Sequence, residues 1–295
     1  MKELEQFVAQ SRAKWRGFRA RLPLVSRGAA PIRLVLDLQS ESDSPPSPAE
    51  WKKVLVSAIT WLGPTRVCIK ATAEGMDLVP ELVRFCHRLE CPTHLVTSGP
   101  VTDDEALVLL DRGLGAVTIR VAGLDESVQQ AVLGQRLESA VGALHAFAEA
   151  RTTRGRPLDI LVNVPAHPSN LESMEAIAGW ALQSGADRVA VGLLAGQEDI
   201  VGSLLPVLAS PLIEVPGPLR ALIEGKKTPV LGLPLVLAND GQGRVRDEAG
   251  QLGCWRTQTP EALWTSGSAA IQRARTHLRP VDDVELLPES LVSLR

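Results

Sequence analysis

The stretch Ile32-Arg33-Leu34-Val35-Leu36-Asp37-Leu38-Gln39-Ser40-Glu41-Ser42-Asp43-Ser44-Pro45-Pro46-Ser47-Pro48-Ala49-Glu50-Trp51 decides the fold. Its first seven residues form a short, mostly apolar run that reads as a strand. The loop from Gln39 to Pro48 holds three prolines, several serines and two carboxylates, but no thiol and no imidazole. At its end, Ser47 stands three residues before Glu50, with Pro48 between them, which is the chemistry of a helix start. Strand, short loop and capped helix make the first half of a βαβ unit.

The same rhythm repeats along the chain. Strands are expected near 32–38, 65–70, 93–97, 116–121, 158–164 and 187–193, and helices near 49–62, 77–89, 102–112, 136–151 and 171–184. Thr102-Asp103-Asp104-Glu105 and Ser169-Asn170-Leu171-Glu172 offer further caps. Alternation of this kind implies right-handed crossovers and a parallel sheet. Six units suit a partial or full barrel, and an open doubly wound sheet is the other arrangement they allow. No dinucleotide glycine fingerprint follows the first strand, and P-loop, HExxH and GxSxG patterns are absent. Ser266-Gly267-Ser268 lacks a preceding strand and reads as a loop.

Composition narrows the function classes. The chain has 295 residues, 45% hydrophobic and 22% charged, enough for one large α/β unit. A net charge of −3 gives no global footprint for nucleic acid. No apolar run is long enough to span a bilayer, and the polar start Met1-Lys2-Glu3-Leu4-Glu5-Gln6 is unlike a targeting segment, so a cytoplasmic setting is expected. The four cysteines, Cys68, Cys86, Cys91 and Cys254, read as free thiols. Residues 1–30 carry a basic amphipathic helix pattern, with Phe7, Val8, Trp15 and Phe18 at helical spacing; it suits either a solvated helix packed by its aromatic edge or a contact with an acidic partner.

From Leu204 the rhythm changes. Pro206, Pro211, Pro216, Pro218, Pro229 and Pro234 punctuate the chain, the run 234–238 looks like a strand, and Asn239-Asp240-Gly241 signals a turn. A helix is expected around 260–278. This third reads as a small appendage to the barrel. Trp255 and Trp264, with Cys254, suit either the core of that module or an exposed recognition patch.

The order of local patterns from 31 to 195 resembles the radical SAM family. Ser47-Pro48-Ala49-Glu50-Trp51 is similar to that family's first helix start. Ala71-Thr72-Ala73-Glu74-Gly75-Met76 falls where the family writes Gly-Gly-Glu-Pro, with only the Glu kept. Leu95-Val96-Thr97-Ser98-Gly99 resembles its Thr-Asn-Gly strand end, and 117–126 its next strand and turn. Leu161-Val162-Asn163-Val164-Pro165 and Gly185-Ala186-Asp187-Arg188-Val189 match its fifth and sixth strands. More faintly, 237–243 and 253–264 look like a SPASM-type extension. The resemblance implies an α/β fold: a parallel (β/α) partial TIM-like barrel of about six units over 31–203, a basic helix at 1–30, and a C-terminal SPASM-like extension and tail at 204–295.

The resemblance also marks what is missing. The family holds its iron–sulfur cluster with a CxxxCxxC run in the loop that is here Gln39–Pro48, and SAM chelates the remaining iron. Soft thiolates suit such iron, whereas the hydroxyls of Ser40, Ser42 and Ser44 do not replace them. By resemblance, Glu74, Thr97, Ser98, Arg120 and Asn163 would line a vestigial SAM cleft. The expectation is a pseudoenzyme without cofactor, metal or catalytic residues, serving as a binding, scaffold or regulatory subunit for a protein partner, an active homologue or a peptide substrate, or as an oligomer. The alternative is a barrel enzyme using cluster-independent acid–base chemistry on a small anionic substrate, with Asp37, Lys70, Glu74 and Arg120 as its binding groups. Equally, those four charges can pair with one another and cap a closed barrel. Cys86, His87, Cys91 and His94 lie close in sequence, but their spacing lacks the paired pattern of a zinc site. His145 and His167 have no evident partner.

Overall fold

A computed structural model describes residues 31, 33–39, 43–194, 198–225, 235–244, 251–267 and 271. The expected basic helix at 1–30 and the tail beyond 271 lie outside them. Strands and helices alternate through the first two thirds. β1 (Leu34–Asp37) leads to α1 (Pro48–Leu62), and β2 (Val67–Ala71) to a 3-10 turn (Ala73–Leu78) and α2 (Val79–Arg88). β3 (Thr93–Thr97) precedes α3 (Asp103–Asp111), and β4 (Ala116–Arg120) precedes α4 (Glu126–Leu133) and α5 (Leu137–Arg154). β5 (Asp159–Ala166) is followed by α6 (Met174–Gln183), and then β6 (Arg188–Leu193).

Local chemistry sets these boundaries. Ser47 and Glu50 close a reciprocal capping box at α1, and Thr102 and Glu105 do the same at α3. The third expected cap is different. Asn170 makes no side-chain cap; its amide instead donates to the carbonyls of Ala122 (2.7 Å) and Pro165 (2.8 Å), while its oxygen accepts from the His167 N–H. Fully buried, it satisfies carbonyls at two strand ends, a need that outranks capping a short turn.

The strands form a nine-stranded sheet in the order β6-β5-β4-β3-β2-β1-β7-β8-β9, and the neighbours from β6 to β7 all run parallel. A bridge between Ala190 and Glu214 continues the pairing beyond β6. Alternation separates two faces. Leu34, Leu36, Ile69, Leu95, Val117, Ile119, Val162 and Val191 join the large core under the helices, with Trp51, Leu82, Leu109, Leu144 and Phe147. Val35, Cys68, Val96 and Val236 form a separate small cluster on the opposite, inward face. A large outer core and a small inner one suit the curled sheet of a partial barrel.

The last third is built into that sheet. After a 3-10 run (Glu198–Ala209) and α7 (Gly217–Ile223), β7 (Leu235–Ala238) pairs parallel with β1 in continuous register. β8 (Gln242–Arg244) and β9 (Gln251–Cys254) add antiparallel, and α8 (Pro260–Ser266) covers them. The turn at Asn239–Gly241 is present, with Asp240 accepting from the Gln242 N–H at 2.9 Å. Trp255 and Trp264 are core residues, both at most 5% exposed. Trp255 packs on Trp51 of α1 with ring centroids 4.7 Å apart, and its indole N–H donates to the Ala238 carbonyl at 2.8 Å.

Candidate functional site

The C-terminal ends of β1 to β6 define the barrel mouth. Asp37, Lys70, Arg120 and Asn163 share the inward face, because each alternates with residues of the outer core. Asp37 is in register with Lys70, and Arg120 with Asn163. Asp37 accepts the Gln39 N–H at 3.0 Å. Asn163 is fully buried; its amide donates to the Ala190 carbonyl at 3.4 Å, and its oxygen has no hydrogen-bond partner. An amide oxygen beside a guanidinium is a pairing that can take a ligand bearing both a donor and an anionic group.

The other candidates sit differently. Thr97 alternates to the helix side with Leu95, and its hydroxyl accepts the Gly99 N–H at 3.2 Å, so it shapes the strand end. Ser98 is buried beside it. Glu74 lies in the 3-10 turn after β2. Loops over β1, β2 and β3 nest through two glycines. A side chain at Gly75 would meet the Leu38 Cβ at 2.9 Å, and one at Gly99 the Ala73 backbone nitrogen at 2.9 Å. The loops after β1, β2 and β3 therefore pack on one another too closely for a side chain at either glycine.

Sequence reading missed the braces of the other half. Gln129, on the unexpected helix α4, accepts the Ala122 N–H at 2.7 Å, and Asn170 takes the Ala122 carbonyl. Gln129 is the buried residue of α4, and the spacing of Val128, Ala131 and Val132 spans only part of an eight-residue segment, too short a run to announce a helix. The thiol and imidazole residues near 86–94 diverge: Cys86 and Cys91 join the outer core, while His94 alternates inward on β3.

The loop after β1 is held from outside. A guanidinium nitrogen of Arg256, just past β9, donates to the Ser44 carbonyl, and its Nε lies 3.9 Å from Glu50. Pro46 is buried, and Ser47 is committed to capping α1. The cysteines lie elsewhere: Cys68 in β2, Cys86 in α2, Cys91 before β3 and Cys254 in β9. Burial pushes the Cys86 thiol well up and the Cys91 thiol to about 11, so both stay protonated. The residues present in this loop do not fit a thiolate-held iron–sulfur cluster.

Known structures share the architecture. The structure of SuiB from Streptococcus suis matches with a TM-score of 0.59 and 13% identity, over 80% of this chain and 66% of SuiB. That of anSMEcpe with bound AdoMet matches with a TM-score of 0.58 and 11% identity, over 84% of this chain and 85% of anSMEcpe. The likeness shows the fold, a parallel, TIM-like partial barrel. No protein-family model matches the sequence, and no curated protein does. Among the described residues, no helix is long and apolar enough to cross a membrane.

Proposed function

We infer that this chain is a radical SAM-like barrel without cluster chemistry, acting as a binding, scaffold or regulatory subunit for a protein partner. The donor set of the loop after β1 carries this reading. Where the resembling family places its cluster thiolates, residues 39–48 offer hydroxyls, carboxylates and three prolines. The strap from Arg256 to Ser44 supports it, because it ties this loop to the C-terminal hairpin instead of leaving it to wrap a cofactor. What SuiB and anSMEcpe do belongs to those proteins; the contribution here is the scaffold, with surfaces left for association.

Anaerobic reconstitution with iron and sulfide tests the reading. The expected result is a colourless protein without stoichiometric iron. Stable incorporation of about four irons per chain, with a brown charge-transfer absorption, would overturn it.

A further inference from the structure

The barrel end opposite the mouth carries its own charge constellation. Arg66 stands just before β2, Arg33 just before β1, and Asp159 and Arg188 open β5 and β6. Each lies two or four residues before an inward-facing side chain, so all four share the inward parity. Arg188 holds Asp159 at 2.5 Å and Glu214 at 3.2 Å. Arg66 is half-buried, and no hydrogen bond or ion pair reaches its guanidinium among the described residues. Burial lowers its pKa, and Cys68 and the Asp159 carboxylate act in the opposite direction.

His94 lies on the same inward face, in register with Cys68. Its Nε2 is 2.9 Å from the Thr118 hydroxyl. Its Nδ1 is buried and has no hydrogen-bond partner among the described residues. The positive charges of Arg66, Arg33 and Arg188 all bear on this imidazole. A partly desolvated guanidinium with no hydrogen-bonded carboxylate is costly, and so is an orphaned ring nitrogen. One ligand class answers both: a compact oxyanion, which matches the planar guanidinium fork and accepts hydrogen bonds.

We propose that the N-terminal end of the barrel is a phosphate-class oxyanion site, with Arg66 as its principal cation and Arg33, Arg188 and His94 around it. Asp159 and Glu214 confine Arg188, so Arg66 is the residue left to meet the ligand. The site lies across the barrel from the mouth and does not depend on the fate of the cluster loop.

Calorimetry and thermal shift of the full chain with inorganic phosphate test it, at fixed ionic strength set with chloride. Saturable binding and a raised melting temperature are expected in the wild type. Arg66→Ala is expected to weaken phosphate by about tenfold or more, and Arg66→Lys by less. Arg136→Ala, which removes a guanidinium from an exposed pair with Glu138, is expected to bind like the wild type. Should Arg66→Ala fail to fold by circular dichroism, the wild-type His94 ring resonances must still move on phosphate addition. The proposal is overturned by no effect beyond chloride, by a folded Arg66→Ala that binds normally, by static His94 resonances, or by loss of binding in Arg136→Ala. Inorganic sulfate and a nucleoside monophosphate separate a free-anion site from a phosphoryl-group site: equal response to sulfate marks the first, preference for the nucleotide the second, and both keep the oxyanion assignment.

Discussion

His94 is an imidazole enclosed among apolar strands, with three guanidiniums nearby and one hydroxyl partner. Burial, reinforced by those positive charges, brings its pKa down from 6.5 to about 3. The ring is therefore neutral in the folded chain at ordinary pH. The unfolded chain takes up a proton below about pH 6.5 that the folded chain refuses until about pH 3. This group thus leaves stability untouched above that range and erodes it as pH falls through it, by at most about 1.4 kcal/mol per pH unit. His94→Gln, which keeps a polar group toward Thr118, is expected to flatten the decline between about pH 6 and pH 4. Urea unfolding of both proteins across that range checks it; parallel slopes would reject a neutral, buried His94.

At the scale of elements, the contact between α1, the loop before it and the β8–β9 hairpin is a strap with two unequal parts. Trp255 on Trp51 is buried aromatic packing, whose truncation to alanine costs about 3–5 kcal/mol in typical cores. The Arg256 contacts are exposed and contribute little to global stability. Arg256→Ala is therefore expected to shift the unfolding midpoint by less than about 1 kcal/mol, yet to make the chain more sensitive to limited proteolysis between residues 39 and 47. Unchanged cleavage kinetics there would show that the prolines alone hold the loop. Much of this element plan was legible beforehand. The strands near 93–97 and 116–121 fall where period-two apolar runs sit between caps, because one face of each meets the helices. Helix α4 escaped because its apolar spacing at Val128, Ala131 and Val132 lasts only about two turns and its one buried side chain is the polar Gln129. The cap expected at Asn170 went to strand-end carbonyls that only the fold brings near it.

For the whole molecule, the question is what the C-terminal third completes. Its strand-like run at 234–238 could be seen in the sequence, but not its partner, since period two says nothing about which edge a strand will join. The candidate site divides in the same way. Asp37, Lys70, Arg120 and Asn163 could be placed at strand ends from alternation alone, whereas the constellation of Arg66, Arg188 and His94 depends on register between strands far apart in sequence. A fragment of residues 31–203 lacks β7, leaves the edge of β1 unpaired and strips Trp255 from Trp51. It is expected to aggregate or to elute as a non-cooperative species. A soluble monomer that unfolds cooperatively would establish the first six units as an independent domain.

The parallel pairing of Leu34 with Leu235 also has a meaning in time. During synthesis, β1 leaves the ribosome about 200 residues ahead of its second neighbour, β7. At roughly 5–20 residues per second, that edge waits on the order of ten to forty seconds for β7. Until then an apolar strand with unsatisfied backbone groups stands open beside a half-built barrel. The nascent chain is therefore exposed to wrong pairing throughout that interval, and conditions that slow translation or withdraw chaperones should lower its yield before they alter the finished fold.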